Sequence, residues 1–177
     1  MKRLFMTQEE RDEKFRCMVG TYQTELLRLC TCCLRDRMLA EDAVQEAFVK
    51  VYRSLDDLRP DLNEKAWLYK IAVNCSRDIL RGAWFKRINR RVTPDMMPDP
   101  AGPPLSEEAI DVNRAIGKLN PKQREVILLR YYQGFSETEI ADILGLSQSS
   151  VAGRLKRAKA QLQALLQTES ETGRENT

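Results

Sequence analysis

The chain has 177 residues, enough for one ordinary domain or two small ones, with 42% hydrophobic and 31% charged residues. Its longest aliphatic run, Val126-Ile127-Leu128-Leu129, is far too short to span a membrane, and the N-terminus lacks the apolar stretch of a secretory signal, so no membrane insertion and a cytoplasmic location are expected. Histidine is absent, which removes the commonest general base, Ser-His and Cys-His pairs and imidazole metal sites; no Gly-rich loop follows a strand pattern, so no catalytic residue, metal or cofactor is expected.

Apolar residues recur at three and four rather than at two, so both halves read as helical and the fold class as all-α. From Phe15 the set runs Met18, Val19, Tyr22, Leu26, Leu29, Cys30 and Cys33. The next helix carries Ala40, Ala43, Val44, Ala47, Phe48, Val51 and Leu55. A third carries Leu68, Ile71, Ala72, Cys75 and Ile79 and is expected to close before Gly82, a residue suited to a left-handed cap. Thr93 to Leu105 holds five of the seven prolines and reads as a partly extended linker. Beyond it, Asn120-Pro121-Lys122-Gln123 offers an N-cap, a proline at the first helical position and a capping-box partner, opening a helix that ends near Gly134. Ser136-Glu137-Thr138-Glu139 is a second capping box, for a short helix ending before Gly145. Ser147 then caps a final helix with Val151, Leu155, Ala158 and Leu162 on one face. The expected organisation is two small helical domains, 1–92 and 108–167, joined by a flexible Pro-rich linker over 93–107 and followed by a polar, disordered tail over 168–177.

The net charge of +3 is small, but its distribution is uneven. Arg77 to Arg91 holds six basic residues (Arg77, Arg81, Lys86, Arg87, Arg90, Arg91) and one acid, and Arg154, Lys156, Arg157 and Lys159 form a second cluster. Two separated basic patches suit a polyanion touched at two places, although most charge clusters are solvated helix faces. From Ser136 onward, a short helix, a three-residue turn and a longer helix make a helix-turn-helix, whose second helix enters the DNA major groove. The outer face of that helix presents Gln148, Ser149, Ser150, Arg154 and Arg157, which can reach base edges and phosphates. In the helix near Ala66 to Arg81, Lys70, Asn74, Arg77 and Arg81 line the face opposite the core, with Trp67 at its edge. The polar loop Arg59 to Lys65, including Asn63, precedes it. Cations beside aromatics, with an amide able to address a base edge, suit single-stranded or melted nucleic acid. The helix near Ala40 to Leu55 turns Asp42, Gln45, Glu46, Val49 and Arg53 outward. A docking surface has use for the valine, though taken alone the face is explained more simply by solvent exposure.

These residues resemble the extracytoplasmic-function (group IV) sigma factors of bacterial RNA polymerase. Ala40-Glu41-Asp42-Ala43-Val44-Gln45-Glu46-Ala47-Phe48 is similar to that family's region 2.2 helix. Ala66 to Asn74, with Asp78 and Arg81, resembles regions 2.3 and 2.4, and Leu119 to Leu165 resembles region 4. The resemblance implies that Asp42, Gln45, Glu46, Val49 and Arg53 dock on the clamp helices of the largest subunit of core RNA polymerase. It implies that the Arg59–Lys65 loop captures an unstacked base of the −10 promoter element, while Asn74, Arg77 and Arg81 hold the melted strand. The helix from Gln148 would read the −35 element as duplex. An anti-sigma factor is the implied inhibitory partner. Where the family often carries Gly-Thr-Val-Lys-Ser-Arg, this chain has Ser149-Ser150-Val151-Ala152-Gly153-Arg154.

Two rivals stay open at this point. One is a stand-alone helix-turn-helix regulator with an N-terminal sensing or dimerisation domain; the other is a helical enzyme using Asp42 and Glu46. The five cysteines, in a reducing compartment and without paired C-x₂-C spacing, point to neither structural disulfides nor zinc. Cys30 and Cys33 fall on the core face of their helix, whereas Cys32 falls with Glu25, Arg28 and Arg35 and is the expected accessible thiol.

Overall fold

The computed structural model describes residues 6–58, 62–86 and 107–174, and the chain divides into two compact units, Met1–Thr93 and Pro94–Thr177. Among the described residues there are seven α-helices and no strand, so the chain is all-α. The Pro-rich stretch up to residue 106, with Arg87, Arg90 and Arg91, lies outside them, as do Arg59, Pro60, Asp61 and residues 175–177.

The first unit is built from α1 (Gln8–Leu34), α2 (Arg37–Arg53) and α3 (Glu64–Lys86), with a 3₁₀ turn at Leu55–Asp57. Thr7 caps α1 in a capping box: its backbone N–H donates to Glu10 Oε2 at 2.8 Å, and Glu10 N–H donates to Thr7 Oγ1 at 3.3 Å. No glycine ends this helix. Arg35 takes the left-handed conformation at φ 56° and donates its N–H to Thr31 O at 2.7 Å. Asp36 immediately caps α2 by accepting from Leu39 N–H at 3.1 Å, so the chain reverses in two residues.

Each of the three helices packs against both others. A helix with two neighbours buries a wider arc than a single stripe, and this corrects the sequence reading in two places. On α3, Tyr69, Val73 and Ser76 are buried beside Leu68, Ala72 and Cys75, while Ile71 and Ile79 are half-buried. On α1, Thr31, Cys33 and Leu34 are buried around Cys32, which is itself half-buried, so the exposed thiol is Cys17. A third correction concerns Gly82, which does not end α3. The helix runs through it to Lys86, and a Cβ there would meet nothing within 4 Å. A glycine inside a helix costs about 1 kcal/mol, which the flanking helical turns offset.

The second unit contains α4 (Glu107–Lys118), α5 (Pro121–Ile127), a π-helical turn over Leu128–Tyr132, α6 (Glu137–Leu144) and α7 (Gln148–Arg174). The sequence reading did not resolve α4. Asn120 caps α5 as expected, accepting from Gln123 N–H at 2.9 Å, but Gln123 does not complete a capping box: its Oε1 is buried without a protein partner. The α5–π run reaches Tyr132, and Gly134 follows at φ 74°. Ser136 caps α6 in a full capping box, and Gly145 closes it at φ 65°. That conformation is open to glycine at little cost, and Gly145 N–H bonds Ala141 O there. Ser147 then accepts from Ser150 N–H at 3.2 Å and starts α7. This last helix packs on α4, α5 and α6, burying Val151, Leu155 and Ala158 against a core that includes Val126, Leu129, Ile140 and Ile143.

The tail expectation is also corrected, since α7 continues to Arg174. Gln161 to Thr172 contains neither glycine nor proline, and each residue added to an existing helix gains one backbone bond. Arg124 ties the entry of this unit together. It is buried, and its guanidinium donates to Ile116 O, Gly117 O and Leu119 O at 3.2, 2.8 and 2.7 Å, bonding carbonyls at and just past the end of α4.

Candidate nucleic-acid interface

On α3, Lys70, Asn74 and Arg81 are exposed and Arg77 is half-buried, at helical positions that share one side. Arg81 pairs with Asp78 one turn back, so part of the cationic face is locally neutralised. Trp67 is half-buried at the edge of this face. Asn63 has a structural duty: its Oδ1 accepts from Ala66 N–H at 3.1 Å, and its backbone carbonyl accepts from Trp67 N–H at 2.9 Å. It therefore caps α3 and sits exposed where the face begins. The cation–aromatic pair in this region is Lys65 over the Tyr69 ring at 5.5 Å rather than a pair with Trp67. Tyr69 OH is buried and donates to Glu25 Oε2 at 3.0 Å. Burial first, and that carboxylate second, push its pKa well up.

The outward residues of α2 divide between two grooves. Gln45, Val49 and Arg53 line an open, mostly apolar groove of about 610 Å³ shared with Phe15, Val19 and Gln23 of α1. Phe15 stacks edge-on to Phe48 and Tyr52 there, with ring centroids 6.0 and 5.1 Å apart. Val49 is 46% exposed. Asp42 and Glu46 instead line a groove of about 410 Å³ with Cys75, Asp78 and Ile79 of α3. Glu46 pairs with Lys50 at 3.3 Å, and Lys50 Nζ lies 3.5 Å from Cys75 Sγ. Burial raises the Cys75 thiol despite that nearby ammonium, so it stays protonated. The α1 contribution escaped the sequence reading, which assigned Phe15 and Val19 wholly to the core.

In the second unit, α6 and α7 cross at the Gly145-Leu146-Ser147 turn as a helix-turn-helix. Gln148 and Ser149 are exposed at the start of α7. Ser150 is exposed too, but its hydroxyl sits 2.7 Å from Ser147 Oγ within the cap. Arg154 is half-buried, whereas Arg157 is exposed, with its guanidinium nitrogens 3.7 and 4.0 Å from the point where a Gly153 Cβ would lie. A patch absent from the sequence reading lies at the π-helical turn: Tyr131 and Tyr132 are more than half exposed, Lys159 Nζ sits 5.4 Å over the Tyr131 ring, and Tyr132 OH donates to Asn113 Oδ1 at 2.9 Å. Among the described residues no group of acidic, cysteine or histidine side chains could hold a metal ion, and no helix is long and apolar enough to cross a membrane.

Two family matches correspond to these units. Residues 18–86 match Sigma-70 region 2, and residues 110–162 match Sigma-70, region 4. The RNA polymerase sigma factor CnrH of Cupriavidus metallidurans is 36% identical over 146 residues, covering 74% of this chain and 75% of CnrH. The ECF RNA polymerase sigma factor SigM of Mycobacterium tuberculosis is 32% identical over 145 residues, covering 82% and 73%.

The chain belongs to the extracytoplasmic-function sigma factors. A solved sigma factor, RpoE from Bartonella quintana in complex with the anti-sigma factor NepR, shares its fold with a TM-score of 0.72 at 27% identity, covering 88% of this chain and 98% of that one. Sigma factors bind core RNA polymerase and direct it to promoter DNA, so this chain is a transcription-initiation factor rather than a stand-alone regulator.

Proposed function

We propose that this sigma factor distributes its task over three surfaces. Gln45, Val49 and Arg53, with Asp42 and Glu46 alongside, dock on the clamp helices of the polymerase's largest subunit. Asn63, Trp67, Lys70, Asn74, Arg77 and Arg81 hold the melted −10 strand. Gln148, Ser149, Ser150, Arg154 and Arg157 address the −35 duplex. The chain performs no chemistry of its own, works in the cytoplasm, and is held inactive by an anti-sigma factor, as RpoE of Bartonella quintana pairs with NepR.

The observation that carries this reading is the pairing of two different faces on one small bundle. An exposed valine lies beside an apolar groove on the α2 side, and a cationic, amide-bearing face lies on α3. A merely solvated bundle has no use for the first, and a pure DNA-binding module has no use for both. The test separates them. Val49→Asp should abolish co-elution with core polymerase, whereas Asn74→Ala should leave co-elution intact and slow open-complex formation. Equal loss of both properties in Asn74→Ala, or unchanged co-elution in Val49→Asp, would defeat the assignment.

A further inference from the structure

Arg11 and Lys14 lie one turn apart on α1 and reach to opposite ends of the segment between α2 and α3. Arg11 pairs with Asp56 in the 3₁₀ turn, where both side chains are about three-quarters buried. Lys14 Nζ lies 3.5 Å from Glu64 Oε2 at the first residue of α3. A second polar cluster anchors the same end of α1 to the end of α2. Gln8 Nε2 donates to Asp12 Oδ1 at 2.9 Å and to Tyr52 OH at 2.6 Å, and Tyr52 OH donates to Asp12 Oδ1 at 2.7 Å.

The first two turns of α1 therefore contact the chain at Asp56, ahead of the entry to α3, and at Glu64, its first residue. That entry is where Leu62, 38% exposed, and Asn63 stand beside Trp67. Fixing both flanks from one helix lowers the ordering cost that a bound strand would otherwise meet, since preorganisation adds to affinity without adding a contact to the ligand. Neither pair is needed for the core, which is closed by Met18, Leu26, Leu55, Leu68 and Tyr69 independently of them.

We propose that Arg11 and Lys14 are positioning residues for promoter opening: they touch no DNA, but through Asp56 and Glu64 they preset the Leu62–Asn63–Trp67 entry for an unstacked base. This rests on the assignment of the α3 face to the melted strand. The test uses holoenzyme and a promoter carrying a fluorescent base analogue in its −10 element. Arg11→Gln combined with Lys14→Gln is expected to slow the fluorescence rise about three- to tenfold, the combined weight of two partly exposed pairs. Core-polymerase affinity should be unchanged, and the unfolding midpoint of the free chain should fall by only a few degrees, leaving it folded at the assay temperature. Arg11→Asp should slow opening likewise, and Arg11→Asp with Asp56→Arg should restore part of the rate. Unchanged opening in the double variant overturns the proposal, as does a parallel fall in core affinity. Trp67→Ala is the control. If it leaves opening untouched, the strand-holding assignment itself fails; if it blocks opening while the α1 variants do not, only the positioning role fails.

Discussion

Cys30 shows how a single side chain can report its surroundings. It is buried between helices, and burial raises its thiol from 9 to about 11, with the Ser76 hydroxyl at 3.3 Å opposing the shift. Between those values the unfolded thiol has lost its proton and the native one has kept it. The associated stability is thus intact below pH 9 and is lost as pH rises toward 11, by up to about 1.4 kcal/mol per unit. Denaturant unfolding at about pH 8 and about pH 10.5 should show a smaller alkaline loss for Cys30→Ala than for the parent. Thiol labelling of the native chain should modify Cys17 first and leave Cys30, Cys33 and Cys75. Gly153 is the second informative residue. A Cβ there would be in ordinary contact with the Arg157 guanidinium, and φ is not positive. Gly153→Ala should therefore stabilise the second unit by up to about 1 kcal/mol in thermal unfolding. If promoter affinity falls while stability rises, the glycine serves the DNA contact rather than the fold.

At the scale of elements, the punctuation of the second unit was legible because its signals are local. Ser136 and Glu139 close a capping box within three residues, Asn120 caps before Pro121, and Gly145 supplies the left-handed turn. Gly145→Ala should cost about 1 kcal/mol or more, read as a lower unfolding midpoint and weaker −35 duplex binding together, because the turn sets how α7 leaves α6. The first unit hid its turn, since Arg35 adopts at φ 56° the conformation that a sequence reader assigns to glycine. It also hid its widest buried arcs. Tyr69 and Val73 look like polar-flank positions until α1 and α2 both press on α3. The end of α3 at Gly82 was misread for the converse reason: glycine permits a left-handed cap without requiring one.

For the whole molecule, two basic surfaces in two compact units make binding a matter of tethered contacts. Arg154→Ala should lower promoter affinity and reduce the slope of log affinity against log salt by about 1, as expected for one lost phosphate contact. An unchanged slope would assign Arg154 to packing, which its half-buried position permits. Supplying residues 1–93 and 94–177 as separate chains should cut promoter-directed transcription about a hundredfold or more, because the second contact is then no longer intramolecular. The helical class, the order of its blocks and the DNA-reading turn were set by local spacing alone: apolar periodicity, caps and left-handed glycines act within a few residues, so they are visible in one dimension. The split of the α2 face between two grooves, the α1 wall of the apolar one, the burial of Cys32's neighbours and the grip of Arg11 and Lys14 on distant carboxylates were decided only by the packed bundle. Those features depend on which helix lies beside which, and side chains more than forty residues apart meet only after the hydrophobic faces have chosen their partners.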